Sequence, residues 1–332
     1  MILAEPRLVV DSSPHLRSNK TVSTAMFDVM IALIPIVLVS IYFYQQHAIF
    51  TIAVCMITAV LTELIIRKLT NRKPTINDGS ALLTGLFVAL LFSSTVNVWT
   101  AVFATILAIG VAKELVGGLG WNLFNPAIFG RSMIIILSPL FLWLNDLFAE
   151  FYVDLGPVDV MTQATPLAML QGGMEMPSYW EMFVAFPGGA LSETSPLALL
   201  IGGIYLLYRG HINWRIPVSV IGTVVVLSLI AGADPLYQVL SGGIMIGAFF
   251  MATDWVTSPI TNKGKFIFGL AIGALIVLFR LGLGATEGVA FSILIMNAFV
   301  PLIDKKTKHP SFSEPEPVKQ TVKEHGETIA ES

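Results

Sequence analysis

One cysteine in 332 residues leaves no partner for a disulfide, and Cys55 alone cannot hold an iron–sulfur cluster or a cysteine zinc site. Charge is also scarce. Asp, Glu, Lys and Arg together make 12 % of the chain, about half the ~25 % of a soluble domain. So few charges cannot cover a water-facing surface, which excludes an ordinary soluble enzyme. A net charge of −3 offers no basic surface for nucleic acid. The first 20 residues lack the basic start, apolar core and cleavage site of a signal peptide. His47 and His211 show no metal-ligand spacing, so neither metal nor haem is expected. The glycine-rich run Gly282-Leu283-Gly284-Ala285-Thr286-Glu287-Gly288 has no strand before it, so it has no weight as a dinucleotide site.

What is abundant is apolar: hydrophobic residues make up 55 %. About ten runs approach the ~20 residues that cross a ~30 Å hydrocarbon core. They lie at roughly 22–44, 48–67, 80–94, 97–113, 126–145, 195–208, 217–232, 237–253, 264–281 and 286–303. The polar, Pro- and Glu-rich tail after Lys305 carries a disorder signature. Basic residues orient the spans, because Lys and Arg collect on the cytoplasmic side. With ten spans, every one of the 19 basic residues except Arg280 falls on one face. Both termini are therefore expected in the cytoplasm. The segment 146–194 contains seven Asp and Glu residues and no Lys or Arg, which places it outside.

The third span of each half is short and interrupted by glycine: DGSALLTGLFVALLFSS and LSGGIMIGAFFMATDW. Each half then continues with a glycine-rich stretch and an Asn and Pro in an apolar frame: GGLGWNLFNPAIFG and GLGATEGVAFSILIMNAFVP. Five spans is an odd number, so two such halves must have opposite topology, as in inverted-repeat membrane proteins. The expected architecture is an all-α integral membrane protein of about ten transmembrane helices in two inverted five-helix repeats. The expected divisions are a cytoplasmic arm (1–21), the first repeat (22–145), an extracytoplasmic loop (146–194), the second repeat (195–303) and a cytoplasmic tail (304–332).

Within the outer loop stands Asp159-Val160-Met161-Thr162-Gln163-Ala164-Thr165-Pro166-Leu167. Thr165-Pro166 reads as a helix start, with Thr at the cap and Pro at the first helical position. A helix N-terminus also suits an anion such as a phosphate. At the inner end of span five, Trp121-Asn122-Leu123-Phe124-Asn125-Pro126-Ala127 puts two amides beside Gly117, Gly118 and Gly120. Asn125 reads as a cap for the helix beginning at Pro126. Among ionisable residues in or beside spans, Asp28 and Glu63 lie deepest and are the ion-path candidates. Lys113, Glu114 and Arg131 sit near the inner boundary, where snorkelling or mutual pairing accounts for them. Asp254, Arg280 and Glu287 complete the set.

The D-x-x-[ST]-x-A-T segment resembles the flavinylation signal of the D subunit of Rnf electron-transport complexes. The B subunit of the sodium-pumping NADH:quinone oxidoreductase has a similar signal. Ser13-Pro14-His15, Asn77-Asp78-Gly79-Ser80-Ala81, the Trp121–Ala127 stretch, Thr253-Asp254-Trp255 and Ser258-Pro259 agree in order along residues 12–304. The short N-terminal arm favours the Rnf relative. Gln163 departs from the family, which usually has a small residue there. The resemblance implies FMN joined through its phosphate to Thr165, with Asp159, Thr162 and Ala164 as the rest of the signal, and makes 146–194 the flavin-bearing loop. It implies a flavin transferase outside the membrane. It also implies a non-covalent riboflavin near Asn122 and Asn125, whose amides suit the donors and acceptors of an isoalloxazine edge. The implied function is electron transfer within a multi-subunit, Na⁺- or H⁺-translocating ferredoxin:NAD⁺ oxidoreductase of the inner (cytoplasmic) membrane. There this chain would meet the covalent-flavin G subunit and the membrane A and E subunits, and NADH and ferredoxin would dock on other subunits. No catalytic residue is assigned. The alternative is an inverted-repeat channel or transporter for a small solute with no redox role.

Overall fold

The computed structural model describes residues 21–137, 165–285 and 287–308. Residues 1–20 of the arm, the tail beyond Lys308, and Asp159, Thr162, Gln163 and Ala164 lie outside the described residues. Among those described, the chain is helical throughout, with one isolated bridge, Ser93 to Ala190, and no strand. Three stretches are long and apolar enough to cross a membrane: Val22–Leu69, Asn262–Gly282 and Gly288–Thr307.

The first helix, α1 (Val22–Leu69), runs for 48 residues but is not one rod. A straight helix of that length would extend about 72 Å. The chain from Leu69 to Asn77 can reach back at most about 29 Å. Yet the Ser23 hydroxyl donates to the Asn77 carbonyl at 3.1 Å. The helix therefore folds back on itself. It does so at Gln45, whose backbone (φ 46, ψ −124) leaves the helical region. The two arms are the first two expected spans, joined at that residue.

α2 (Ser80–Leu91) follows a left-handed Gly79 (φ 76). Its 12 residues extend about 18 Å, too short to cross alone. Gly85 lets it lie directly on α1, since a Cβ there would stand 2.7 Å from the Cys55 carbonyl and 2.8 Å from Met56 Cα. α3 (Val98–Ile106) passes into a π-helix, Leu107–Glu114. α4 (Pro126–Ile136) starts at the expected Asn125 cap. Two short helices, α5 (Pro166–Gln171) and α6 (Tyr179–Val184), lead through a 3-10 turn at Leu191–Glu193 to α7 (Pro196–Arg209) and α8 (Arg215–Ile230).

The eighth expected span, 237–253, is not continuous. α9 (Pro235–Leu240) stops, Ser241-Gly242-Gly243 breaks the helix, and α10 (Ile244–Ile246) restarts and continues as a π-helix, Gly247–Met251. Gly242 and Gly243 hold φ of 62 and 72, which glycine adopts at least cost. α11 (Asn262–Val277) also ends as a π-helix, Leu278–Gly282, and α12 (Gly288–Thr307) closes the bundle. π-helical turns are rare and concentrate at functional sites.

α2 and α10 are central and antiparallel. Phe87 and Phe250 meet edge to face with centroids 6.4 Å apart. The start of α2 and the end of α10 open on one cavity, and their opposite ends open on another.

Candidate functional site: two cavities back to back

The larger cavity, about 310 Å³, gathers chain ends that the charge pattern assigns to the cytoplasm. The starts of α1, α2 and α4 meet the ends of α7 and α10 there, with Asn122, Asn125, Ser80, Lys113, Thr253 and Asp254 on its wall. Its size and mostly apolar lining suit a small organic ligand.

The two asparagines of the motif have different duties. Asn125 is fully used: Oδ1 accepts from the N–H groups of Ala127 (3.1 Å) and Ile128 (3.4 Å), and Nδ2 donates to the Met251 carbonyl (3.3 Å). With its amide oxygen turned inward, Asn297 accepts from the Asn125 N–H at 3.0 Å. Asn122 donates to the Phe124 carbonyl at 3.2 Å, but its buried Oδ1 receives no hydrogen bond among the described residues. Of the three glycines, only Gly120 lines the cavity. Gly117 backs onto Trp121 and Gly118 onto Arg67. Asp254 stands on the rim, where burial pushes its carboxyl above the usual carboxylate range against hydrogen bonds from Thr257, Val256 and Trp255.

Lys113 and Glu114 do not pair with each other. Lys113 Nζ donates to Glu63 Oε2 (2.7 Å) and to the Ser80 hydroxyl (2.6 Å), and it is 1 % exposed. Thr75 donates to the other Glu63 oxygen, at 2.5 Å. Arg67 donates to Glu114 at 3.1 Å. The other ion-path candidate, Asp28, is likewise enclosed. It accepts from Arg209 through both oxygens and from Tyr205 at 3.1 Å, and His211 lies 2.5 Å away.

The smaller cavity, about 220 Å³, lies on the opposite side and includes Thr165. Thr165 caps α5 as its sequence suggests, its Oγ1 accepting from the Ala168 N–H at 3.1 Å. α5 is only six residues long, so the local cap is the stronger feature and little macrodipole is available for a phosphate. Arg131 proves to belong here. From six positions into the α4 segment it reaches this second cavity, pairs with Glu287 at 2.5 Å and covers the Phe92 ring at 4.9 Å. Arg131 is expected beside the first cavity's helix ends, but, one and a half turns into α4, it lines the second cavity instead. Glu193, which no sequence signal singles out, is on the same wall. A backbone bridge from Leu191 N–H to the Phe92 carbonyl (2.9 Å) and a bond from Ser40 to the Leu191 carbonyl (3.0 Å) fix its turn. Arg280 is buried behind it, donating to the carbonyls of Gln238 (2.7 Å), Ser241 (3.0 Å) and Gly242 (2.8 Å).

A family model described as the NQR2, RnfD, RnfE family matches residues 9–313. The chain belongs to that family. Among its relatives is the D subunit of the Na⁺-translocating ferredoxin:NAD⁺ oxidoreductase complex of Acetobacterium woodii, 40 % identical and covering 92 % of this chain and 95 % of its own. The D subunit of the proton-translocating ferredoxin:NAD⁺ oxidoreductase complex of Clostridium ljungdahlii is also 40 % identical, covering 91 % and 95 %. The D subunit of the ion-translocating oxidoreductase complex of Aliivibrio salmonicida is 34 % identical, covering 90 % and 96 %. Family membership thus runs through both cavities and every helix that builds them.

The inner cavity yields a test of its own. If the cavity holds the non-covalent flavin that the resemblance implies, Asn122→Ala should lower it while leaving any covalent flavin in place. Asn125→Ala should instead destabilise α4 by about 1 kcal/mol through the lost cap. Extractable riboflavin per purified complex measures the first effect. An unchanged value in a folded Asn122→Ala, Asn125→Ala double variant would remove the cavity as a flavin site.

Proposed function

We propose that this chain is the D subunit of an ion-translocating ferredoxin:NAD⁺ oxidoreductase complex of the inner membrane, and that it carries electrons through FMN attached to Thr165. The observation that carries this reading is the outer cavity. The one motif hydroxyl among the described residues opens into it, beside a glycine cradle and buried charge. A Cβ at Gly189 (φ 85) would lie 3.0 Å from Thr165 Cγ2 and 2.5 Å from Glu193 Oε2, so only glycine leaves that space open. Thr165 would hold the phosphoester, and Arg131 and Glu287 would flank the ring system. The FMN would supply an electron acceptor and donor.

The unused Asn122 oxygen supports a second, non-covalent flavin in the inner cavity, with riboflavin the ligand by family resemblance. The partners in this reading are the G, A and E subunits, Na⁺ or H⁺, and a flavin transferase. The inverted-repeat reading is supported by α2 and α10. Both are short, both start after a left-handed glycine, and they run in opposite directions between the same two cavities. Lys113 and Arg280 extend the likeness, each buried in a π-helix at the end of the fourth span of its half.

The direct test is optical and gravimetric. The denatured protein should fluoresce under ultraviolet light in a gel, and its intact mass should exceed the sequence mass by one FMN ester. A dark band of unmodified mass would return the solute-channel reading. Orientation is checked by labelling. Single cysteines at Gln163 and Lys263, with the native Cys55 buried, should react from outside and only after lysis, respectively. The reverse pattern would invert the topology.

A further inference from the structure

Three charged side chains line the outer cavity among the described residues, and one of them is unsatisfied. Arg131 and Glu287 pair with each other. Glu193 Oε2 is buried and receives no hydrogen bond among the described residues. Arg280 is near enough to attract it, but its Nη1 and Nη2 donate to backbone carbonyls, and its buried Nε has no hydrogen-bond partner among the described residues. Gly189 and Gly243 bound the carboxyl on two sides, with Oε1 3.6 Å from the Cβ position of Gly243. The Thr165 side chain meets the same Gly189 position, so the carboxyl and the attachment residue converge on one spot.

A carboxylate without donors is costly as an anion, and the cost falls when it binds a proton. We propose that Glu193 is the proton-exchanging group of the outer cavity, taking up one proton as the first electron reaches the cofactor on Thr165. The proposal rests on Thr165 as the flavin-bearing residue. The electron comes from a neighbouring redox carrier of the complex, flavin or iron–sulfur, which is oxidised by one electron as the cofactor is reduced by one. The proton comes from the aqueous phase on that side and forms one O–H bond at Oε2. The carboxyl becomes neutral, and the total charge of the cavity is unchanged.

The groups facing Glu193 come from four elements: Arg280 of α11, Arg131 of α4, Glu287 before α12, and Tyr44 of α1 within electrostatic range. Burial pushes its carboxyl up to about 7 against the pull of Arg280, with Glu287 adding to the rise and Arg131 opposing it. The group can therefore change state in the neutral range.

The test is infrared spectroscopy of the purified complex. In the wild type, a protonated-carboxyl band should disappear as pH rises through about 7, and Glu193→Gln should lack it. At a pH one unit above that transition, dithionite reduction should restore the band in the wild type. In Thr165→Val the pH transition should persist, but reduction should leave the band unchanged. A wild-type complex with no such transition, or the same transition in Glu193→Gln, overturns the proposal. If Glu193→Gln does not assemble, Glu193→Asp should displace the transition, and an undisplaced one overturns it equally. A wild-type protein without fluorescence removes the Thr165 reading instead, leaving the pH transition to judge Glu193.

Discussion

Thr165→Val should give an assembled protein with no ultraviolet fluorescence in a denaturing gel, no FMN-sized mass increment and no electron transfer coupled to ion movement. Valine keeps nearly the shape of threonine and has no oxygen to esterify, so the loss of modification should be complete. The lost cap at Ala168 costs about 1 kcal/mol, too little to unfold a protein whose α5 is one short helix. Thr165→Ser separates hydroxyl chemistry from shape: it keeps the nucleophilic oxygen, and any loss of labelling then reports how the transferase fits its target. An FMN-sized adduct surviving on Thr165→Val would falsify the assignment and point to Thr162, the other hydroxyl of the signal.

Lys113→Met should damage the fold more than any other single change on the wall of the inner cavity. It would strand Glu63, 0 % exposed, in the protein interior with only Thr75 and a 3.6 Å approach from Arg67. Removing one partner of a buried ion pair typically costs about 3–5 kcal/mol, because the remaining charge keeps its desolvation penalty. Replacing both partners avoids that penalty. The double variant Glu63→Met, Lys113→Met should therefore be more stable than either single one, with Arg67 still held by Glu114 at 3.1 Å. Thermal midpoints of the detergent-purified complex, followed by size exclusion, measure this. A double variant that loses as much as the sum of the single ones would show that the pair is not a closed unit. Because Lys113 also stands on the cavity wall, riboflavin content in the double variant reports whether its charge matters to the ligand.

Much of this molecule was legible from its sequence. Apolar run lengths mark the helices because a bilayer demands that backbone groups be satisfied within each span. Asn125 and Thr165 were legible as caps because a cap is a local contract between a side chain and N–H groups two or three residues on. The alternation of basic ends anticipated part of how helix ends converge: the starts of α1, α2 and α4 and the ends of α7 and α10 surround one cavity, while Arg131, read as an inner-boundary residue, lies with Thr165, Gly243 and Glu287 on the other. The proposed flavinylation signal is a linear motif, so a candidate acceptor can be proposed without coordinates.

The tertiary structure decided what no local rule carries. Hydropathy says that a helix face avoids water but not which neighbour covers it. The pairing of Lys113 with Glu63, and of Arg131 with Glu287 across 156 positions, therefore had no sequence signal. The sequence marks the eighth span as short and interrupted by glycine, but where the helix stops, and that Gly242 and Gly243 take positive φ, is a backbone property. Asn122 and Asn125 have identical side chains three residues apart. Only the Met251 carbonyl and the α4 N–H groups, brought to Asn125 by packing, leave Asn122 as the one with an oxygen to offer. Glu193 was invisible for the same reason: its significance is the absence of a donor, and that depends on where Arg280 directs its hydrogen bonds.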